Sequence, residues 1–474
     1  MHDTLPPPIL ALLDPARSPL PAPVELVETH ISWVLMAGDF AWKFKKPVTL
    51  PFLDYGSAEK RRAACSAEVR LNRRYAPDLY LGIVEFDGEP AVKMRRFPEA
   101  QRLDHVCARG ELTPTHLSGL ARTLADFHDA ATVAPAGARF GEPEQVLAPA
   151  LENFDELERL LPSAGAHLGP LKAWTLAEFG RQCETFGRRK AAGRIRECHG
   201  DLHLGNLVLL DGRATPFDCI EFNEDFRWID VASEIAFVWI DLIDHGRPGL
   251  ACWLLNEWLA ASGDFDALSV LRFYAVYRAL VRAKVAAIRG DAVEAGEYLA
   301  MATRLAVPPA LTFTLTHGLS GCGKTRASTA RLLAVPDAST IRLRSDVERK
   351  RLFGLPPDAD SRSAPDGGIY TTEATERTYR RLLELSEAAL SAGWPVIVDA
   401  AFLKRAERED FRKLAARLGA PFDILAPAAP VEELRRRIQA RQGTGDASEA
   451  TLAVLEKQLD WIEPLAPEEA AQVA

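Results

Sequence analysis

The stretch LTFTLTHGLSGCGKTRAS, residues 311–328, constrains this chain more than any other. An apolar β-like segment runs into a glycine-rich loop, with Gly318, four residues, then Gly323, Lys324 and Thr325, and on into a helix start. In that order, backbone N–H groups surround a phosphate and the helix N-terminus adds its dipole. The loop opens only at Gly318, so a separate fold must occupy the chain in front of it.

At 474 residues the chain exceeds the size at which one hydrophobic core keeps growing, and more than one domain is expected. A formal net charge of -9 gives no general electrostatic reason for a nucleic-acid or anionic-membrane partner. The seven cysteines are odd in number and scattered, with no C-x-x-C pair, which reads as reduced thiols in a cytoplasmic protein. No basic start leads into an apolar run, and no run reaches the roughly eighteen apolar residues of a membrane span. Secretion and membrane spanning are not expected.

Three blocks follow along the chain. Residues 25–100 read as a small lobe of hairpin, helix and hairpin, with turn signals at Gly38-Asp39 and Asp87-Gly88 around the helical stretch SAEKRRAACSAEVRLNRRY. Residues 105–305 read as a mostly helical lobe, interrupted by a loop-and-strand region at 198–222. A proline-marked junction then leads into strands and helices that alternate, the pattern of a parallel α/β sheet. The domains are therefore expected at 1–305 and 306–474.

In the front block, ECHGDLHLGNLVLLDGRATPFDCIEF carries His199-Gly200-Asp201, then Asn206, then Asp218 after an apolar strand and a turn. Kinases use this order: an Asp at the substrate hydroxyl, an Asn on magnesium, and a second Asp that holds metal against the ATP phosphates. This loop resembles the H-G-D-x-x-x-x-N signature of the aminoglycoside phosphotransferases and their kinase-like relatives, over roughly residues 25–300. The resemblance implies that Asp201 is the catalytic base or orienting carboxylate and that Asn206 and Asp218 ligate magnesium. It also implies that Lys43, in FAWKF, holds the ATP phosphates with Glu68 as its ion-pair partner. Lys45 and Lys46 lie beside Lys43 as rivals. LMAGDF is not a Gly-x-Gly-x-x-Gly loop, and D-C-I stands where protein kinases have D-F-G, which argues against a protein kinase proper. Asp230 reads either as an anchor of the site or as a helix cap, and His203 as a structural hydrogen-bonder. A polycationic acceptor would need convergent carboxylates, and Glu221, Glu224, Asp225, Glu234, Asp241 and Asp244 follow Asp218.

In the rear block, Gly318, Ser320, Gly321, Cys322 and Gly323 would cradle phosphates, with Lys324 on the β and γ phosphates and Thr325 on magnesium. TIRLRSDVERKRLFG is expected to end a strand on Asp346, with Arg349 one turn later; GWPVIVDAAF ends another on Asp399; LRRRIQARQGTGDAS puts Arg437 and Arg441 on one helix face before a glycine-rich turn. This order resembles the small P-loop kinases related to gluconate kinase and chloramphenicol phosphotransferase, over about residues 310–465. The resemblance implies that Asp346 meets the acceptor hydroxyl, that Arg437 and Arg441 belong to a lid over the phosphates, and that Asp399 is a Walker B metal ligand.

The whole is expected to be an α+β kinase-like bilobal domain followed by an α/β P-loop domain with a parallel sheet. Its function would be transfer of the γ-phosphoryl group of ATP or GTP, with Mg2+, to hydroxyls of small molecules such as sugars or aminoglycosides. Alternatives are that one module is a nucleotide-binding sensor, or that the P-loop half is a toxin-like kinase.

Overall fold

Alternation in the strand Phe40–Lys45 sets the first sheet, because successive side chains of a strand point to opposite faces. Trp42 and Phe44 enter one core with Trp33, Leu35 and the first helix's Ile9 and Leu12. Lys43 and Lys45 therefore share the other face. The computed structural model describes residues 5–50, 53–361, 363, 367–441 and 449–473, without the side chains of Ser163, Ala166 and Arg441.

The chain forms two units, Met1–Leu151 with Cys183–Asp241, and Glu152–Gln182 with Leu242–Ala474. In the first, an antiparallel sheet has the order Glu25–Glu28, Ser32–Ala37, Phe40–Lys45, Glu89–Arg95, Tyr80–Phe86. The expected hairpin, helix and hairpin are present, and the edge strand Glu25–Glu28 is an addition. The helix Ala58–Asn72 starts where Ser57 Oγ accepts the Lys60 N–H at 3.2 Å. Its Cys65 and Val69 pack with Tyr80 and Val92 of the sheet, which fixes Glu68, one residue away, against the lysine face. Two short antiparallel pairs follow, the hairpin Leu207–Leu210 with Arg213–Pro216, and around it Ile195–Glu197 with Trp228–Asp230.

In the second unit a parallel sheet has the order Ile341–Arg344, Val396–Asp399, Phe313–Thr316, Phe422–Leu425. Three of these strands are almost wholly buried, as a parallel sheet covered by helices on both faces requires. The strand before the glycine loop is interior, so its C-terminal end opens into the middle of the sheet edge where ligands bind in such folds. The helix Pro248–Ser262 packs in this unit, close to the helix Lys324–Leu333: a Cβ on Gly249 would lie 2.0 Å from the Leu333 carbonyl oxygen, so only glycine fits. Trp394 Nε1 donates to the Leu268 carbonyl at 2.9 Å, and the Arg272 guanidinium lies over its ring.

Candidate active sites

Five charged side chains converge under the first sheet. Lys43 Nζ lies 3.0 Å from Glu68 Oε1 and also pairs with Asp218. Lys45, two residues along the same face, pairs with the other Glu68 oxygen and with Glu221, which also accepts the Tyr55 hydroxyl. Burial would favour neutral Lys43, but Asp218 and Glu68 overcome it and hold the ammonium charge well above its ordinary range. Burial likewise would raise Asp218, and Lys43 brings it below the usual carboxylate value. Asp218 sits at φ 64°, a left-handed conformation that Asp tolerates. Its N–H donates to the Tyr80 hydroxyl at 3.0 Å and the next N–H, of Cys219, to Asn72 Oδ1 at 2.9 Å. The helix carrying Glu68 thus also fixes the Asp218 turn.

Asp201 and Asn206 meet across their loop. The Asn206 side-chain NH2 donates to the Asp201 carbonyl at 2.9 Å and to its Oδ2 at 3.0 Å, which leaves the Asn206 amide oxygen as the donor toward a hard cation. His203 Nδ1 accepts the Gly205 N–H at 3.1 Å, and its Nε2 lies 3.5 Å from Asp201 Oδ2. Burial pushes His199 toward its neutral form; with Nδ1 accepting the Asp201 N–H at 3.3 Å, Nε2 carries the proton and donates to the Phe217 carbonyl at 2.8 Å. The loop hangs from two buried carboxylates. Glu234 accepts the His199 and Gly200 N–H groups at 2.7 and 3.0 Å, with Tyr75 Oη and His128 Nε2 on its other oxygen. Burial alone would raise Glu234, but these donors hold it at about 2. Asp241 accepts the Leu204 N–H at 2.7 Å.

In the second unit, Ser320, Gly321, Gly323, Lys324, Thr325, Asp346, Asp399 and Arg437 line one cavity of about 1310 Å³. Gly318, Gly321 and Gly323 have φ of 133°, 82° and 104°, which glycine adopts readily and which lets the loop curl. Lys324 Nζ folds back on the Gly318 and Leu319 carbonyls at 2.8 and 3.0 Å. Arg437 Nη1 reaches the Gly321 carbonyl at 3.2 Å. Asp399 accepts Ser328 Oγ at 3.1 Å, one helical turn from Thr325. Asp346 is raised by burial, against the pull of Arg344 and Arg349. Its strand ends at Arg344 rather than on Asp346, which stands in the first turn of the helix Ser345–Leu352. Cys322 is buried in a cluster with Leu434, Ile438 and Leu455, and its Sγ lies 3.9 Å from Lys324 Nζ. The Arg441 side chain and the glycine-rich turn 442–448 lie outside the described residues.

Lys45 shares Glu68 with Lys43, and its bond to Glu221 has no signal in the sequence beyond the two-residue spacing. Lys46 pairs with Glu28 instead. The acidic residues after Asp218 all have partners within the protein: Glu221, Glu234 and Asp241 are buried on those above, Glu224 pairs with Arg227, Asp225 with Arg139, and Asp244 accepts the Tyr298 hydroxyl. Asp230 is both ion-pair anchor and cap, with Arg189 at 2.7 and 2.8 Å and the Ala232 N–H at 2.8 Å.

These sheets, loops and clustered residues give the chain a kinase-like fold followed by a P-loop α/β fold. A family model described as an AAA domain matches residues 313–465. The chain belongs to the family of the uncharacterized proteins Rv2004c of Mycobacterium tuberculosis and Mb2027c of Mycobacterium bovis, each 32% identical over 456 residues that cover 92% of this chain and 91% of the relative. Among solved structures, the GDP complex of aminoglycoside 2'-phosphotransferase-IIIa is similar at 13% identity and TM-score 0.40, over 63% of this chain and 97% of that one. Plasmodium vivax ethanolamine kinase is similar at 10% and 0.41, over 63% and 88%. The Mycobacterium tuberculosis APS kinase CysC is similar at 24% and 0.23, over 31% and 80%. The fold rests on the topology above and not on these scores.

Proposed function

We propose that the chain carries two ATP- or GTP-dependent phosphotransferase sites, each moving the γ-phosphoryl group to a hydroxyl of a small molecule. One observation supports this reading: each unit offers a lysine and carboxylates of the kind phosphoryl transfer uses, Lys43 on Glu68 and Asp218 with Asp201 on Asn206 in the first, and Lys324 and Asp346 in one cavity in the second. The oxygen donors Asn206 and Asp218 in one site, and Thr325 and Asp399 in the other, suit Mg2+, which would neutralise charge on the phosphate oxygens. Lys43, held by Glu68, would carry its charge to the nucleotide phosphates. Asp201, partly exposed and steadied by Asn206, would orient the acceptor hydroxyl and take its proton. In the second site Lys324 would exchange the loop carbonyls for the β and γ phosphates, Arg437 would close over them, and Asp346 would meet the acceptor. Both reactions then proceed by positioning, without a covalent intermediate.

The buried commitments of Glu221, Glu234 and Asp241 favour neutral alcohols or sugars over polycationic aminoglycosides at the first site. We place the reaction in the cytoplasm: all seven cysteines are free thiols, and among the described residues no helix is long and apolar enough to cross a membrane. The test is a screen of small alcohols, sugars and aminoglycosides for stimulated ATP or GTP consumption, run on the full chain and on its Asp201→Ala and Lys324→Ala variants. Each variant should silence one set of acceptors. Stimulation that survives in the double variant would remove the proposal.

A further inference from the structure

The strand Ile341–Arg344 is the edge of the parallel sheet, and its outer hydrogen-bonding groups need partners. A side chain from the helix Pro248–Ser262 supplies two of them. Asn256, almost fully buried, accepts the Arg342 N–H on Oδ1 at 2.6 Å and donates from Nδ2 to the Thr340 carbonyl at 2.8 Å, one donor and one acceptor in the place of a neighbouring strand. The same NH2 group is anchored at 2.8 Å on the Cys252 carbonyl, one turn back in its own helix, and Cys252 Sγ also reaches the Thr340 carbonyl at 3.2 Å. The Arg342 side chain lies over the Trp253 ring, 5.2 Å to its centroid, and donates to Thr329 Oγ1 at 2.7 Å on the helix after the glycine loop.

The helix that follows this strand is gripped from the same side. Arg351, near its end, donates to the Ala260 carbonyl at 2.5 Å. A Cβ on Gly263 would stand 2.4 Å from Arg351 Nη1, so the glycine leaves room for that contact. Asp346 lies between the two grips, four residues after Arg342 and five before Arg351.

We propose that the helix Pro248–Ser262, contributed by the kinase-like part of the sequence, is a working piece of the P-loop site, and that Asn256 is a positioning residue for Asp346. The proposal rests on the reading of Asp346 as the acceptor-directed carboxylate. Asn256 touches no nucleotide-directed group; it fixes the backbone from which Asp346 departs. A carboxylate displaced by about 1 Å costs about a hundredfold in rate while ground-state nucleotide binding is spared.

The experiment uses the full chain in an Asp201→Ala background, with ATP hydrolysis and AMP-PNP affinity as readouts. Asn256→Ala should lower kcat about a hundredfold and leave AMP-PNP affinity within about twofold. Trp394→Phe, which removes a buried hydrogen bond to Leu268 on the next helix, Ala267–Ile288, and leaves the Asn256 contacts in place, should lower the melting temperature without changing kcat. Hydrogen exchange gives a second readout that needs no turnover: in Asn256→Ala the amides of residues 341–346 should exchange faster while those of 324–333 do not. Unchanged exchange at 341–346, or an equal fall of kcat in both variants, would reduce Asn256 to a packing residue. Asp346→Asn separates the two claims. If that variant hydrolyses ATP at the parent rate, the reading of Asp346 fails; if it is inactive while Asn256→Ala is not, only the positioning claim fails.

Discussion

Replacing Glu234 by glutamine tests how the Asp201 loop is held. The carboxylate receives four donors, two of them backbone N–H groups of the loop, and its side chain is fully buried. Glutamine keeps one accepting oxygen but turns an NH2 group on the remaining donors. An ordinary glutamate titrates near 4.5 and Glu234 at about 2, a gap equivalent to about 3 kcal/mol of preference for the ionised form in the folded state. The folded value is the lower one, so this contribution is complete above pH 4.5 and is lost as pH falls through the interval to 2. At pH 7 the Glu234→Gln variant should melt about 5–10 °C below the parent in the transition of the first unit. Followed by calorimetry, the difference should hold at pH 6 and shrink as pH drops below 4.5. Glu197, also held at about 2 by its arginines against the effect of burial, titrates alike in both proteins and cancels. Equal melting temperatures at pH 7, or a difference indifferent to acid, would refute the loop-anchor argument.

Lys45→Met should leave Glu68 and Glu221 buried with one cation fewer and cost about 3–5 kcal/mol, read from urea denaturation of the full chain. Lys324→Ala should weaken both AMP-PNP binding and turnover at the P-loop site, whereas Asp346→Ala should keep the affinity and lose transfer; calorimetry and a turnover assay in the Asp201→Ala background separate them. Because burial raises Asp346, the acid limb of the P-loop site's pH–rate profile should lie above the ordinary aspartate value of 3.8, activity falling as pH drops through it.

The glycine loop, the His199-Gly200-Asp201 loop and the small-lobe hairpins were legible because each is local: its spacing along the chain is its spacing in the fold. The Lys43–Glu68 pair was legible only through family resemblance, since 25 residues separate its members. What escaped was set by long-range partners. Glu234 and Asp241 look like any acidic residues of a helix until the backbone they hold, 35 and 37 residues earlier, is in place. Lys45 shares Lys43's face by strand periodicity alone, but which carboxylate meets it depends on Glu221, 176 residues on. Asn256 carried no motif at all, because a single side chain standing in for a strand has no sequence pattern.

The second unit gathers Glu152–Gln182 and everything after Asp241, so its parts are made far apart in time. During synthesis the first unit has all its residues once Asp241 emerges. The last strand of the second unit's sheet, Phe422–Leu425, follows Gln182 by about 240 residues, a wait of roughly 10–50 s at about 5–20 residues per second. Leu168 and Leu171, buried in the finished protein, belong to the early portion. A nascent chain therefore passes through a stage with one unit complete and the other short of its sheet, and in that interval chaperones and proteases have access to a surface the finished protein hides.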